Sequence, residues 1–280
     1  KESKLLSFMS GLSAMPEGPE TRRAADRVAA AVAGQVAEEV FFAFPHLQGY
    51  AEELSGRRVE SVVNRGKAIL TAFDIGLTVY THNQLYGRWF VTARGRTPRT
   101  SRSLRFAIHA AEKSAWLYSA SEIVVLESRD LKAHPYLAKL GPDVSAGELD
   151  PVIVRERLRD SLFSGRQLAG LYLDQEFLAG LGNYLRAEIL FHASAHPRAR
   201  PRDLPAAQIR RLAASTVEIC RRAHAARGVT LSPRLASRAK RARGSERRFY
   251  VYGRAGKPCR RCGTPIGGRH IYYCASCQRR

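Results

Sequence analysis

The chain has 280 residues, enough for about two domains of ordinary size and too many for one small core. Hydrophobic residues make up 45% of it, so real cores can be buried, yet no window of about twenty apolar residues occurs and no membrane span is expected. A formal net charge of +21 exceeds what solubility needs and points to an anionic partner, nucleic acid before membrane or acidic protein.

Residues 1–14 faintly resemble an export signal, but the apolar patch is short and broken by Ser10 and Gly11, so the chain is expected to be cytoplasmic with reduced thiols. Met15-Pro16-Glu17-Gly18-Pro19-Glu20 follows. It reads as a helix start, with proline in the first turn and an acid facing the positive helix end. It also reads as a catalytic pair. If the chain begins at Pro16, its nitrogen is a free secondary amine beside the Glu17 carboxyl. The alanine-rich run from Thr21 predicts one helix that stops at Gly34.

The period then changes. VAEEVFFAF, RRVESVVNRG, KAILTAFD, LTVYTHN, GRWFVTA, SLRFAIHAA and SAWLYSA are short, rich in β-branched and aromatic residues, and separated by turn formers. They predict antiparallel strands in two packed sheets, a β-sandwich with the opening helix against it, over residues 15–143. Lys67 falls on one of these strands, and Gln84-Leu85-Tyr86 reads as a hairpin turn between LTVYTH and GRWFV.

Beyond Pro151 apolar residues recur three or four apart in VIVRERLRDSL, QEFLAG, NYLRAEILFHA and PAAQIRRLAASTVEICRRAHAA, which predicts a helical unit over residues 151–233. In Gly180-Leu181-Gly182-Asn183 the glycines can end one helix while Asn183 caps the next, and such a helix start is also a seat for phosphate. Cys220, within the last helix, reads as a small buried apolar residue. Residues 234–248 concentrate basic side chains just before Phe249, Tyr250 and Tyr252, a run suited to nucleic acid.

Residues 249–280 hold the remaining cysteines as two Cys-x-x-Cys knuckles, Cys259/Cys262 and Cys274/Cys277. This spacing predicts a ribbon of two short strands carrying one zinc ion on four thiolates. With no open coordination position, that metal holds the fold and does no chemistry. Arg269, on the loop between the knuckles, can reach a phosphate.

These pieces in this order resemble the formamidopyrimidine-DNA glycosylase and endonuclease VIII family of DNA repair enzymes. The carrying motifs are MPEGPETRRAAD at the start, NRGKAILTAF around Lys67, THNQLYG at 81–87, LYSASEI at 117–123, LDQEFLAGLGNYLRAEIL and the terminal YYCASCQ. The resemblance spans Met15 to Arg280. It implies an α+β multidomain fold, namely a β-sandwich, a helix-two-turn-helix domain and a zinc finger, acting as a monomer in bacteria. The substrate it implies is double-stranded DNA with oxidised bases or abasic sites, lying in the cleft between the halves.

For the site, the resemblance implies that Pro16 attacks C1′ of a damaged nucleoside and Glu17 moves protons. It makes Lys67 a proton donor in strand cleavage, Glu20 a supporting acid, and Arg269 a phosphate contact tied to the second elimination. Gln84, Leu85 and Tyr86 take the place of the family's void-filling wedge, in the form found in the branch directed to oxidised pyrimidines. Asn183 and Lys139 take the place of backbone contacts. Two departures stand against this pattern. With residues 1–14 attached, the Pro16 nitrogen is a tertiary amide and no nucleophile, so those residues are expected to be absent from the mature enzyme. The hairpin between the cysteine pairs is also shorter than in many relatives. Two other readings remain open at this level: a non-catalytic DNA-binding protein with its amine blocked, and a glycosylase directed to oxidised purines.

Overall fold

The protein is described from a computed structural model covering residues 16–145, 147, 149–268 and 271–279. Among the described residues the chain forms four buried clusters, and the two largest belong to the sandwich and to the helical half.

The opening helix, α1, runs Gly18–Val32 and buries Ala24, Ala25, Val28, Ala31 and Val32 on one face. Glu20 in its first turn accepts the Glu17 N–H at 3.3 Å, which satisfies one of the donors that a helix start leaves unpaired. Past its end Gly34 sits at φ +76°, a left-handed conformation open to glycine.

The sandwich comprises β1 (Glu39–Phe42), α2 (Gln48–Leu54), β2 (Val59–Arg65), β3 (Ala68–Phe73), β4 (Leu77–His82), β5 (Arg88–Ala93), β6 (Leu104–His109), β7 (Lys113–Tyr118) and β8 (Glu122–Glu127). The strands form two antiparallel sheets in the orders β1-β6-β7-β5 and β2-β3-β4-β8. Alternating side chains fill the space between them, among them Val40, Phe42, Val59, Val79, Phe106, Ile108 and Leu117, with Val28 and Val32 of α1 joining the same cluster. Phe42 and Phe106 stack at 4.7 Å at its centre.

Three features differ from expectation. The EIVVLE stretch forms an eighth strand, β8, which pairs with β4 and completes the second sheet. β5 therefore pairs with β7 in the other sheet, so residues 83–87 cross between sheets and are not a hairpin turn. Lys67 lies in the two-residue turn joining β2 to β3, where Arg65 pairs with Ala68, and not on a strand. The first turn residue, Gly66, has φ +59°, as a tight hairpin of this kind requires.

After two short 3₁₀ turns, Ser128–Ala133 and Leu137–Lys139, the chain passes through Leu140–Asp143 into the helical half. There α3 (Pro151–Arg159) and α4 (Ser161–Ser164) start on Asp150 and Asp160, whose carboxylates accept the Val152 and Leu162 N–H groups at 2.6 and 2.9 Å. Then come α5 (Leu168–Leu171), α6 (Asn183–His192), α7 (Ala206–Ala225), α8 (Pro233–Arg238) and α9 (Gly244–Arg248). The expected QEFLAG helix is absent. Residues 174–180 form turns instead, because the Gln175 side chain accepts the Gly180 N–H at 3.0 Å and donates to Leu181 O at 3.0 Å. The side chain thus takes backbone groups a helix would have paired.

α6 is buried along most of its length and packs on α7 through Leu185, Ile189, Leu212 and Val217. Its Glu188 carboxylate, fully buried, accepts Thr230 Oγ1 at 2.6 Å and the N–H groups of Tyr250, Val251 and Tyr252 at 2.7, 2.8 and 2.9 Å. One side chain thereby ties the start of the cysteine-rich unit to the helices. Within that unit the expected strand pair reduces, among the described residues, to single bridges at Pro258/Pro265 and Gly267/Tyr273. Gln278, fully buried, anchors it by accepting Cys274 N–H and donating to Ala195 O, both at 2.9 Å. Among the described residues no helix is long and apolar enough to cross a membrane.

Candidate active site

The start of α1 is laid against the turn that precedes α6. Gly18 N–H donates to Gly180 O at 2.7 Å, and a Cβ on Gly18 would come within 3.2 Å of Gly180 Cα. Glu17 is brought by this contact to the N-terminus of α6 and is buried there, 3% exposed. Its Oε1 accepts Tyr184 N–H at 2.8 Å and its Oε2 accepts Leu185 N–H at 3.2 Å. Gly182, the N-cap residue, leaves room for this carboxylate: a Cβ there would lie 2.7 Å from Glu17 Cγ.

Glu17 therefore caps α6, a role the sequence assigned to Asn183. Asn183 is instead the first residue of the helix, exposed, with Oδ1 accepting Arg186 Nη2 at 3.1 Å. The Tyr184 and Leu185 N–H groups, expected to face a phosphate, are already taken by the Glu17 carboxyl group.

Burial pushes the Glu17 carboxyl up to about 8, against the lowering effects of the Lys67 charge and of the Tyr184 and Leu185 N–H groups. It thus holds its proton at neutral pH. Burial also pushes the Lys67 ammonium down, opposed by the Glu17 charge. The two groups form an acid and an amine, each shifted towards its neutral form.

The Lys67 turn is pinned from the segment that leaves the sandwich. Lys67 N–H donates to Tyr136 Oη at 3.0 Å, and Gly66 N–H donates to Asp143 Oδ2 at 2.6 Å. Glu20 lies behind Glu17. Besides the Glu17 N–H, its carboxylate accepts the Tyr184 hydroxyl at 2.8 Å and pairs with Arg23 at 3.6 Å and Arg248 at 3.8 Å.

Pro16, Lys67, His82, Asn83, Gln84, Tyr136, Leu173 and Gln175 line one cavity of about 270 Å³ beside the buried Glu17. His82 Nδ1 accepts Gln84 N–H at 3.2 Å, and burial pushes its imidazole below the ordinary range despite the Glu122 charge. At the rim Gln84 stands at φ +45°, with its amide held by Ser121 Oγ at 2.7 Å and Glu122 Oε2 at 3.1 Å. Leu85 and Tyr86 follow, 54% and 63% exposed, two large apolar side chains presented to solvent by a fixed loop.

The structure thus gathers Pro16, Glu17, Glu20, Lys67 and Gln84, with Leu85 and Tyr86 beside them. Lys139 is exposed on its 3₁₀ turn and does not line the cavity. Arg269 lies outside the described residues. Sequence reasoning missed His82, Tyr136, Asp143, Gln175, Gly182 and Tyr184. His82, Gln175, Gly182 and Tyr184 stand inside the quoted motifs, and only the folded geometry shows which of their atoms meet the site.

In the last unit the Sγ atoms of Cys259, Cys262, Cys274 and Cys277 all lie within 4.8 Å of one another. Cys259–Cys277 and Cys262–Cys274 are separated by 3.9 and 3.4 Å. A tetrahedral thiolate site with bonds of about 2.3 Å places its sulfurs about 3.8 Å apart, so these four fit one metal ion. Cys220 is buried among the helices, as expected.

The sequence pattern of the formamidopyrimidine-DNA glycosylase N-terminal domain matches residues 15–122, and that of the formamidopyrimidine-DNA glycosylase H2TH domain matches residues 140–234. The chain belongs to the formamidopyrimidine-DNA glycosylase and endonuclease VIII family. As a member it is a bifunctional DNA glycosylase and abasic-site lyase of base-excision repair. It is 46% identical to the proteins named Endonuclease 8 of Escherichia coli (strain K12 / DH10B) and of Shigella sonnei (strain Ss046), over 94% of this chain and 100% of each relative. The fold matches that of Lactococcus lactis Fpg (MutM) in a complex with N7-benzyl-Fapy-dG DNA. That match has a TM-score of 0.76 at 23% identity and covers 95% of this chain and 100% of that one. The fold match therefore extends over the sandwich, the helices and the four-cysteine unit.

Proposed function

We propose that this glycosylase removes oxidised pyrimidines from double-stranded DNA and then cuts the strand by successive β- and δ-elimination, with Pro16 as nucleophile. One observation carries the reading: Pro16 and Lys67 line the same cavity beside a buried Glu17 that keeps its proton to about pH 8. The reading requires a chain that begins at Pro16, because only then is its nitrogen an amine. A free α-amino group titrates near 8, so a useful neutral fraction exists at pH 7.

The unprotonated amine attacks C1′ of the extruded nucleotide and the C1′–N bond to the base breaks, the base leaving with a proton. Glu17 has a proton to give at neutral pH and, once ionised, accepts one from the new C1′–N⁺–H group. Opening of the sugar, with O4′ taking a proton, leaves an iminium at C1′. Loss of a C2′ proton then forms the C2′=C3′ double bond as the 3′ phosphate departs, and a second elimination expels the 5′ phosphate. Water hydrolyses the iminium and returns the amine. Lys67, with its ammonium pushed down, releases a proton readily to a departing group. Glu20 holds the Glu17 backbone in place.

Extrusion of the base costs a few kcal/mol of unstacking. Gln84, Leu85 and Tyr86 fill the gap, an amide for the orphaned partner base and an apolar and aromatic pair for the stack. This wedge, and the relatives named Endonuclease 8, support oxidised pyrimidines over oxidised purines. Asn183 and Lys139, both exposed, contact the phosphate backbone, with Arg269 as a further clamp tied to the second elimination. In this scheme residues 15–143 carry the chemistry and residues 151–233 and 249–280 grip the duplex from the other side. The metal is zinc, one per chain, on Cys259, Cys262, Cys274 and Cys277; four thiolates give it a purely structural role.

Borohydride trapping tests the reading. Protein whose N-terminal mass shows Pro16 first, incubated with thymine-glycol duplex and reductant, should give a covalent adduct. Salt-sensitive binding without an adduct would overturn the mechanism. Faster excision of 8-oxoguanine than of thymine glycol would overturn the assigned lesion class.

A further inference from the structure

We infer that the Tyr136 hydroxyl is a substrate-contacting donor of the cavity, giving a hydrogen bond to an acceptor oxygen of the extruded nucleotide while its own oxygen fixes the Lys67 turn. Tyr136 lies between the two 3₁₀ turns and its half-buried side chain forms part of the cavity wall with Pro16, Lys67 and His82. The Lys67 N–H reaches its oxygen at 3.0 Å, and a Cβ on Gly66 would lie 2.7 Å from that oxygen. The ring is held edge-on by His82 at 5.4 Å and Tyr80 at 6.3 Å. The hydroxyl is therefore fixed in position by a hydrogen bond and by packing.

A phenol carries one donor hydrogen and two acceptor lone pairs, and the Lys67 N–H uses a lone pair. Among the described residues no acceptor takes the hydrogen. It is not given to any residue of the cavity wall: Leu173 is apolar, His82 Nδ1 accepts Gln84 N–H, Gln175 Oε1 accepts Gly180 N–H, and the buried Asn83 Oδ1 is itself left without a partner. Burial pushes the phenol up to about 12, so the hydrogen is present throughout the working pH range. The hydrogen is thus left for an oxygen that enters the cavity. A nucleotide positioned for attack by Pro16 enters this same space. The acceptor is a carbonyl oxygen of the base or an oxygen of the flanking phosphate, and the two sources are separable.

This inference rests on the proposed reaction. The test is Tyr136→Phe, which keeps the ring and removes the oxygen, assayed in single turnover on an oxidised-pyrimidine duplex and on a duplex with a preformed abasic site. Loss of one hydrogen bond predicts a fall of about five- to tenfold in rate. A loss confined to the first substrate assigns the base oxygen, and an equal loss on both assigns the phosphate. The ratio of wild-type to variant rate should stay flat from about pH 6 to 9, since the phenol does not titrate there. A shift of the pH–rate profile instead would mean that the effect travels through Lys67, and it would overturn the contact, as would unchanged rates on both substrates. Should the phenylalanine variant fail to fold, a ring-fluorinated tyrosine at 136, a stronger donor, should raise the rate, and an unchanged or lower rate would overturn the contact. A wild-type protein that forms no borohydride adduct refutes the reaction itself; an adduct-forming wild type with an equally fast variant refutes only the role of Tyr136.

Discussion

The Glu17 carboxylate lies directly over Gly182: a Cβ at residue 182 would stand 2.5 Å from Glu17 Oε1. The glycine backbone is extended at φ −146°, a conformation any residue adopts, so the carboxylate and not the backbone is what excludes a side chain. Gly182→Ala should therefore push Glu17 off the Tyr184 and Leu185 N–H groups. The expected cost is about 1–3 kcal/mol of stability from overpacking and about a hundredfold in excision rate from a displaced acid. Thermal melting and single-turnover excision measure the two, and a variant that excises within about twofold of wild type would show that this contact does not set the acid.

Glu17 makes folding depend on pH in a stated direction. Its folded carboxyl titrates at about 8 and an unfolded one near 4.5, so between those values the folded state binds the extra proton. The stability tied to this proton is present at low pH and is lost as pH rises from about 4.5 to about 8. Glu17→Gln removes the titration. The difference in melting temperature, variant minus wild type, should grow from pH 5 to pH 8 and level off above that, whatever constant offset the lost acceptor adds. A difference that stays flat over this range would mean that Glu17 is not held neutral.

The two sheets, the opening helix and the four-cysteine unit were legible because each follows from local pattern: alternation, alanine-rich periodicity with a glycine stop, and paired Cys-x-x-Cys knuckles. EIVVLE became a strand only through its pairing with β4, a long-range event that also moved β5 to the other sheet and turned a supposed hairpin into an inter-sheet loop. QEFLAG carries helical spacing but yields to Gln175, whose amide spans the turn. At the site, Glu17 and Lys67 stand in the motifs, whereas Tyr184 and Tyr136 matter through hydrogen bonds to Glu17, Glu20 and Lys67, residues 167, 164 and 69 positions away in sequence. Local chemistry suggested Asn183 as a helix cap; a carboxylate from a different unit displaced it.

Removal of the metal should act on the last unit first. Cys274 is fully buried and Cys259 nearly so, and the small apolar cluster around them also holds Val251, Ile266 and Phe191. Cys274→Ser, or treatment with a strong chelator, should release one zinc per chain by elemental analysis. It should lower DNA affinity by about tenfold or more, with loss of protection in residues 251–279. The sandwich, whose core is separate, should keep its amide-exchange protection. Full retention of metal by the serine variant would exclude the four-thiolate site.

Arg27 lies one helical turn beyond Arg23 on α1, the helix that packs against both β5 and α7. Its guanidinium is lowered by burial and then by the charges of Arg23, Arg88 and Arg227, so four like charges converge there. Arg23 is committed to the carbonyls of Ala223 and His224 at 3.0 Å each, whereas Arg88 and Arg227 are exposed and Arg27, though partly covered, still reaches solvent. Arg88 opens β5 directly after the wedge loop, so the charges continue from the rim of the cavity to the end of α7. Like charges held together repel unless an anion lies between them. Arg27→Ala should thus leave the melting temperature unchanged or slightly raised, while weakening binding to DNA. If the residue neutralises one phosphate, the slope of log affinity against log salt should fall by about 0.9. An unchanged slope would place Arg27 off the DNA path and leave its neighbours' repulsion without a ligand.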